Sequence, residues 1–329
     1  MTQINTQPLH NTAKRILVFG ATGTIGGATT TALTKRGYVV TCAVRPGSRA
    51  AVADAHIVSV DVTDPVSLSQ DVFGGARYDA VICCLASRTG APQDAWAIDH
   101  RATVNVIKAA QAAGAAHFVL LSAICVQKPV LAFQHAKLAA EQALIGSGLS
   151  YSIVRPTAYF KSLAGQIARV QRGKPYLLFE NGRLTACTPI SDADLGAYLV
   201  ACIDTPGLHN RILPIGGPGP AITPLEQGEH LFSLLRTPPR FKHVPVGMMR
   251  GIAGALGHAG RIVPALSAKA EFARIGLYYA TESMLVLNET TGHYDRAATP
   301  SAGSETLFDY YAAVLNGEAT VERGDHSVF

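Results

Sequence analysis

Short runs of apolar and β-branched residues recur along the first half of the chain, separated by helix-like or loop segments. This alternation is typical of parallel strands joined by crossover helices, so it predicts the α/β class with a doubly wound parallel sheet. The six predicted strands span residues 15–19, 38–44, 56–60, 79–85, 117–121 and 150–155, and the clearest helices span 25–36, 95–113 and 133–145.

A glycine-rich turn lies between the first predicted strand and the first predicted helix. It reads Gly20-Ala21-Thr22-Gly23-Thr24-Ile25-Gly26. Glycines at this spacing permit a tight turn and let the backbone approach a pyrophosphate, while the helix N-terminus offers free N–H groups to the phosphates. The pattern predicts a Rossmann dinucleotide site, with five residues contacting the cofactor: Gly20, Thr22, Gly23, Thr24 and Ile25.

The end of the second predicted strand indicates which dinucleotide binds. An acidic residue there would hydrogen-bond the ribose of NAD, whereas a basic residue can pair with the 2′-phosphate of NADP. The chain has no acid at this point and reads Val44-Arg45-Pro46-Gly47-Ser48-Arg49. We therefore predict NADPH, held at its 2′-phosphate by Arg45 with help from Ser48 and Arg49. The alternative for Arg45 is a solvated loop residue.

Further cofactor contacts are expected at the ends of the next strands, because ligands bind there in such sheets. Asp61 and Val62 follow the third strand, and Asp61 is placed to accept a hydrogen bond from the adenine amine. Asp61 has an alternative role, which is to cap the turn that it opens. Leu85 and Ala86 follow the fourth strand and are predicted to run beneath the middle of the cofactor.

The rhythm of strands and helices changes after Pro156, where stretches rich in glycine and proline separate shorter segments. We predict an NADPH-binding Rossmann part over residues 14–160, re-entered by about 187–235 through a helix that starts near Ser191 and a strand at 211–216. The remainder of residues 161–329 is predicted to form a smaller, substrate-binding part. Residues 1–13 are polar and are predicted to be a disordered tail.

Composition narrows the class of protein. The net charge is only +5 and the basic residues look scattered, which argues against a nucleic-acid partner. The six cysteines form no CxxC pair, so we predict no metal site and a reducing compartment, the cytoplasm. Charged residues make up 16% of the chain and the mean hydropathy is +0.20, which favours an extra apolar surface for a ligand, a partner or a membrane face.

The glycine turn and two later positions resemble the short-chain dehydrogenase/reductase superfamily in its extended, atypical branch. Ordinary members place a serine after the fifth strand and a Tyr-xxx-Lys pair on the next helix. This chain has Ser122 and Lys137, but Phe133 stands where the tyrosine is expected. The resemblance implies that Ser122 and Lys137 lie at the cofactor, with Lys137 on the nicotinamide ribose. A phenyl ring cannot donate the proton that alcohol–ketone chemistry needs.

Longer stretches, at residues 120–138, 151–163, 173–176, 212–219, 278–285 and 298–301, resemble the 8-vinyl reductases of chlorophyll and bacteriochlorophyll biosynthesis. This resemblance implies that NADPH reduces the 8-vinyl group of divinyl chlorophyllide a, or of a related chlorin, to an ethyl group. Tyr159, Lys137 and water are the candidate proton donors, and Tyr159 is favoured over its alternative role as a packed aromatic. The apolar excess would serve peripheral contact with photosynthetic membranes.

Two other functions stay open at this point. One is reduction of a different double bond or carbonyl by NADPH, as in the isoflavone-reductase kind, which keeps the lysine without the tyrosine. The other is a non-catalytic NADPH sensor. A chlorin with an acidic propionate implies an apolar slot with a basic rim, where Lys161 or Lys128 would meet the carboxylate. The residues do not indicate an oligomeric state.

Overall fold

The computed structural model describes residues 13–48, 54–263 and 267–321. Residues 1–12 of the predicted tail, and Arg49, lie outside the described residues. The strands are β1 (Arg15–Phe19), β2 (Val39–Val44), β3 (His56–Ser59), β4 (Ala80–Cys83), β5 (His117–Leu121), β6 (Tyr151–Pro156), β7 (Tyr176–Phe179), β8 (Arg211–Ile215), β9 (Phe241–Val244), β10 (Val286–Leu287) and β11 (Tyr294–Asp295).

Helices follow most of these strands. The α-helices are α1 (Thr24–Lys35), α2 (Pro65–Ser67), α3 (Pro92–Ala95), α4 (Thr103–Ala112), α5 (Ala132–Ile145), α6 (Phe160–Leu163), α7 (Ile167–Gln171), α8 (Asp192–Asp204), α9 (Pro224–Leu234), α10 (Val246–Ile262), α11 (Ser267–Thr281) and α12 (Leu307–Leu315). Two segments are π-helical, Leu68–Val72 and Trp96–Ala102, and three form 3₁₀ turns, Ile124–Gln127, Ala164–Gln166 and Pro206–Leu208.

The central sheet has seven parallel strands in the order β3-β2-β1-β4-β5-β6-β8. β1 pairs with β2 on one side and with β4 on the other, so the direction of winding reverses at β1. A crevice opens at such a reversal, outside the carboxyl ends of the strands, and ligands of doubly wound sheets bind there. The predicted fold class is therefore confirmed, and the sheet places the glycine turn at this crevice.

Helices cover both faces of the sheet because successive side chains of a strand point to opposite faces. From β1, Val18 packs into a core that includes Leu199 of α8. The next residue back, Leu17, packs into the opposite core with Leu144 of α5. All four side chains are fully buried, and burying one such aliphatic group contributes about 1.5–3 kcal/mol. Two apolar cores thus hold the sheet rigid beneath the crevice.

The second half of the chain first returns to the sheet and then leaves it. Helix α8 packs against α1, and β8 adds to the sheet edge beside β6. The parallel pair of β7 and β9 lies apart from the main sheet. A third core is built from helices α6, α9, α11 and α12 and from strand β7, and it includes Phe160, Tyr176, Phe232, Ile275 and Tyr311.

All six predicted strands are present, with ends displaced by at most two residues. The helix predicted over residues 95–113 differs most, because it is split into α3, the π-helical segment Trp96–Ala102 and α4. A π-helical turn adds a residue to the helical repeat and often marks a functional site. Here it carries Asp99, whose side chain is 1% exposed.

Candidate functional site

The glycine turn after β1 is built so that side chains are excluded from it. Gly20 has a φ of +79°, and a Cβ there would lie 2.6 Å from the carbonyl oxygen of Cys84. A Cβ at Gly26 would lie 2.1 Å from the carbonyl oxygen of Gly20. The N–H of Gly23 closes the turn by donating to that same Gly20 oxygen at 2.9 Å. Only glycine fits at Gly20 and Gly26, since each Cβ would clash with backbone.

The N-terminus of α1 beside this turn is open for an anion. Its N-cap is Gly23, which makes no side-chain cap, and its first turn carries no acidic residue. The first amides of a helix have no acceptor within it, so those of Thr24 and Ile25 remain free donors. Lys161 brings a positive charge there, because its Nζ donates to the hydroxyl of Thr24 at 2.9 Å. The turn, the amides and the ammonium together fit a pyrophosphate.

The charged residue after β2 is exposed to solvent, whereas the one after β3 is hydrogen-bonded within its own turn. Arg45 is exposed directly after β2 and stands at the edge of the crevice. Asp61 accepts hydrogen bonds from the backbone N–H and the hydroxyl of Thr63 through the same oxygen, Oδ1, at 2.8 and 2.7 Å. These bonds lower the pKa of Asp61. Asp61 thus makes the turn contact that was its alternative role. Val62 beside it is buried.

Leu85, Ser122 and Lys137 line one pocket, although they come from three different elements. Leu85 is half-buried and Ala86 is exposed, so the loop after β4 presents both to the crevice. Asp99 lines the same pocket. The structure therefore brings the predicted middle of the cofactor site together with the predicted lysine.

Lys137 forms a buried ion pair with Asp99. The two side chains are 14% and 1% exposed, and Nζ lies 3.0 Å from Oδ1. Burial alone would lower the pKa of Lys137, but the charge of Asp99 and its hydrogen bond outweigh burial, so the pKa is raised. The second carboxylate oxygen, Oδ2, is buried without a hydrogen-bond partner among the described residues. A donor that reached this buried oxygen would satisfy it.

The hydroxyl of Ser122 is already hydrogen-bonded to a second buried carboxylate. Its hydroxyl donates to Oε1 of Glu141, which is fully buried. Arg155 of β6 donates to the same carboxylate through Nε, at 3.0 Å, and through Nη2. Glu141 lies one turn after Lys137 on α5, so this cluster fixes the helix against the sheet. The cofactor contact predicted for Ser122 stays a prediction.

Phe133 forms an apolar wall one turn before Lys137. The position of a Cβ on Gly90 would lie 2.9 Å from Cδ1 of Ile275 and 3.7 Å from Cδ1 of Phe133. Gly90 thus lets side chains of α11 and α5 pack closely against the loop before α3. The wall carries no proton donor at the position where the resemblance led us to expect a tyrosine.

Two phenols, Tyr159 and Tyr279, lie near Cys125. Burial raises the pKa of Tyr159 far above its usual value, and nearby Cys84 and Cys125 add to the shift. Tyr279 of α11 lies close enough to Tyr159 for their charges to interact, and its hydroxyl is 4.0 Å from Sγ of Cys125. Burial also raises the pKa of Tyr279. Both side chains are therefore neutral donors at physiological pH.

The two lysines expected at the substrate carboxylate are engaged elsewhere in the described structure. Lys128 pairs with Glu282 at 2.8 Å, and the hydroxyl of Tyr294 donates to the same carboxylate. Lys161 lies against Thr24, at the glycine turn. The contact between Lys161 and the turn had no local signal in the sequence. Asp99 was also missed, because its burial beside Ala102 and Thr103 is visible only in the structure, where a buried carboxylate requires a partner.

Comparison with known proteins agrees with this geometry. Residues 20–206 match the NAD(P)H-binding family model, which covers the glycine turn and the return to the sheet. The chain is 47% identical over 331 residues to the chloroplastic divinyl chlorophyllide a 8-vinyl-reductase of Oryza sativa subsp. indica, covering 95% of this chain and 82% of the rice protein. It is 45% identical to the protein of the same name from Arabidopsis thaliana, over 94% of this chain and 79% of that protein.

Among solved structures, the fold resembles that of an NADPH-dependent quinone oxidoreductase from Escherichia coli, determined with NADPH. The two share 19% identity with a TM-score of 0.67, covering 92% of this chain and all of that one. At this identity the likeness shows the Rossmann fold alone. The identity to the plant proteins extends over nearly the full chain, and therefore this chain belongs to the divinyl chlorophyllide a 8-vinyl-reductase family of NAD(P)H-binding oxidoreductases.

Proposed function

We propose that this chain reduces the 8-vinyl group of divinyl chlorophyllide a to an ethyl group with NADPH. One observation carries the proposal beyond family membership: Lys137 is retained and ion-paired, while Phe133 replaces the phenol one helical turn away. A site with this pair can hold a dinucleotide ribose yet has no acid beside the hydride position. That combination suits a C=C bond conjugated to a macrocycle better than a carbonyl.

NADPH supplies a hydride when it is bound, and the chain supplies the surroundings. The tight turn at Gly20 and Gly26 would bring the backbone beside the pyrophosphate, whose charge the free amides of α1 and the ammonium of Lys161 would meet. Arg45, exposed at the end of β2, supports the choice of NADPH over NADH. We assign the remaining contacts to Thr22, Gly23, Thr24, Ile25, Asp61, Val62, Leu85, Ala86, Ser122 and Lys137.

The proton has to arrive at a different carbon from the hydride. Hydride addition to the outer vinyl carbon leaves an electron pair that the macrocycle delocalises, and protonation of the inner carbon completes the ethyl group. We assign the donor role to Tyr159, because burial keeps its hydroxyl neutral and no described side chain is hydrogen-bonded to it. Lys137 orients the nicotinamide ribose, and Asp99 positions Lys137.

The plant relatives are named as chloroplastic proteins. Among the described residues, no helix has the length and apolar character needed to cross a membrane. We propose that the chain works at the surface of a photosynthetic membrane, since a chlorin with an apolar macrocycle and an acidic propionate partitions there.

The test mixes purified protein, NADPH and divinyl chlorophyllide a and follows the Soret band. We expect a blue shift in step with NADPH oxidation, and a monovinyl product by chromatography. Lys137→Met should raise the KM for NADPH strongly, whereas Lys108→Met, on the exposed face of α4, should leave it unchanged. NADPH binding without oxidation would instead identify a sensor. Oxidation with other alkenes or carbonyls, but with no chlorin, would identify an isoflavone-reductase-like enzyme.

A further inference from the structure

The N-terminus of α5 is completed by a residue from another helix. Its N-cap, Leu131, has no side-chain oxygen that could accept a hydrogen bond, and its first turn contains no acidic residue. The first amides of a helix have no acceptor within it, so they need one from outside. The N–H of Ala132, the first residue of α5, donates at 3.3 Å to Oε1 of Glu271 on α11. A carboxylate from α11 thus takes the place of a capping side chain.

The carboxylate of Glu271 lies in the interior. The residue is 4% exposed, and its second oxygen, Oε2, pairs with Nη1 of Arg274 at 3.3 Å. A buried carboxylate is tolerated only where hydrogen bonds and positive charge replace water. The amide of Ala132, the positive end of the α5 dipole and Arg274 meet that requirement. Separation of α11 from the start of α5 would leave Glu271 without its amide partner.

The same two helices contribute to the apolar wall of the site. Phe133 directly follows Ala132 on α5, and Ile275 lies one turn after Glu271 on α11. The side chains of Phe133 and Ile275 both lie within 4 Å of the point that a Cβ of Gly90 would occupy. The hydrogen bond of Glu271 therefore holds the two helices together beside the place where these two apolar side chains meet.

The other end of α11 is attached separately. The hydroxyl of Tyr278 donates to the carbonyl oxygens of Cys125 and Lys128, at 2.9 and 3.2 Å. Glu282, directly after α11, pairs with Lys128 at 2.8 Å. Loss of the Glu271 contact would therefore free the first half of α11 from α5, while the second half stays attached.

We infer that Glu271 is a positioning residue that sets how closely Ile275 packs against Phe133, and with it the shape of the wall that the chlorin contacts. The ring system of a chlorin is flat and apolar, so its affinity depends on the shape of the apolar surface it meets. None of the proposed cofactor contacts belongs to α11 or to the first turn of α5. Glu271 should therefore affect the binding of chlorin and not of NADPH. The inference rests on the proposed function for the identity of the substrate.

The experiment compares Glu271→Leu, which removes the acceptor, with Ala132→Pro, which removes the donor. Proline is well tolerated at the first position of a helix, and Leu131 already has the extended backbone preferred before proline. Each variant should raise the KM for divinyl chlorophyllide a about tenfold, the scale of one hydrogen bond to a charged group, with the KM for NADPH unchanged. The double variant should do no more than either single one, because both remove the same contact. Glu271→Gln retains an acceptor oxygen and should restore most of the affinity.

Hydrogen exchange tests the same contact without chlorin. The backbone amides of residues 133–137 should exchange faster in E271L and in A132P than in the parent, because the start of α5 is no longer held by α11. The matched control E229L removes an exposed carboxylate from α9 and should leave the exchange rates and both KM values unchanged. Circular dichroism checks folding, and A132P carries the test if E271L does not fold.

Several results would overturn the inference. These are equal increases in the KM values for chlorophyllide and NADPH, KM values equal to those of the parent, and effects of E271L and A132P that multiply in the double variant. Unchanged exchange in α5, or E271Q as impaired as E271L, would overturn it as well. A parent that turns over no chlorin, with faster exchange in both variants, would refute the proposed function and still support the positioning of α5 by Glu271.

Discussion

Asp99 offers the sharpest test of the site, because replacing it leaves a buried ammonium without its partner. At the observed N–O distance of 3.0 Å, and with an effective dielectric of roughly 20, the attraction between the two charges is about 5–6 kcal/mol. Part of it offsets desolvation, and removal of one member of such a pair typically costs about 3–5 kcal/mol. We expect Asp99→Leu to lower the free energy of unfolding by that amount at neutral pH.

The pH dependence of this loss follows from the raised pKa of Lys137. A group whose folded pKa exceeds its unfolded value of 10.5 stabilises the fold fully below that value, and the stabilisation fades as the pH rises through the folded pKa. In Asp99→Leu, burial would instead lower the pKa of Lys137. The difference in stability between parent and variant should therefore be largest at low pH, begin to narrow as the pH rises through the lowered pKa of the variant's lysine, and narrow further above 10.5 as the parent loses its own stabilisation.

The assay is urea unfolding of the parent, Asp99→Leu, Lys137→Met and the double variant, read as a thermodynamic cycle. The double variant should recover most of the free energy of unfolding that Asp99→Leu loses, because an apolar pair leaves no buried ammonium without a partner. Lys14→Met, which removes half of an exposed pair with Asp204, should cost less than about 1 kcal/mol. A loss in Asp99→Leu no larger than in this control, or no recovery in the double variant, would refute the reasoning.

Three further predictions concern the steady-state kinetic constants of variants. Arg45→Ala should raise the KM for NADPH by about 10- to 100-fold, because a charged hydrogen bond to the 2′-phosphate is lost, and should leave the KM for NADH unchanged. Lys161→Ala should raise the KM for NADPH about tenfold while the KM for chlorophyllide stays constant, because its ammonium lies at the glycine turn. Tyr159→Phe should lower kcat at least about 100-fold with NADPH affinity unchanged, since only the proton donor is removed.

Each of these variants has an outcome that contradicts its premise. An equal rise in the KM values for NADPH and NADH in Arg45→Ala would show that Arg45 does not contact the 2′-phosphate. If Lys161→Ala raised the KM for chlorophyllide more than the KM for NADPH, Lys161 would instead bind the substrate carboxylate. Full turnover by Tyr159→Phe would leave water, Lys137 or Tyr279 as the donor, and Tyr279→Phe would then separate them.

The sequence could predict the features that depend on residues close together in the chain, such as the glycine turn. Gly20 needs a positive φ and Gly26 needs the absence of a Cβ, and both demands are visible as glycines between a strand and a helix. What sequence could not predict depends on distant segments. Lys161 meets Thr24 across 137 positions, and Lys128 meets Glu282 across 154. Both lysines looked like free rim charges because no rule of spacing links them to these partners.

The replacement of tyrosine by phenylalanine on α5 changes the position from which a phenol could donate a proton. Carbonyl reduction delivers a hydride to carbon and a proton to its oxygen, so the donor belongs beside the lysine that holds the ribose. Reduction of a vinyl group delivers hydride and proton to two adjacent carbons, with the charge delocalised in between. Such a reaction is served by an apolar wall at the hydride position and a phenol on another element. In the proposed reaction, Phe133 on α5 and Tyr159 after β6 would have that division, and the ion pair of Lys137 with Asp99 would keep the cofactor side of the site charged.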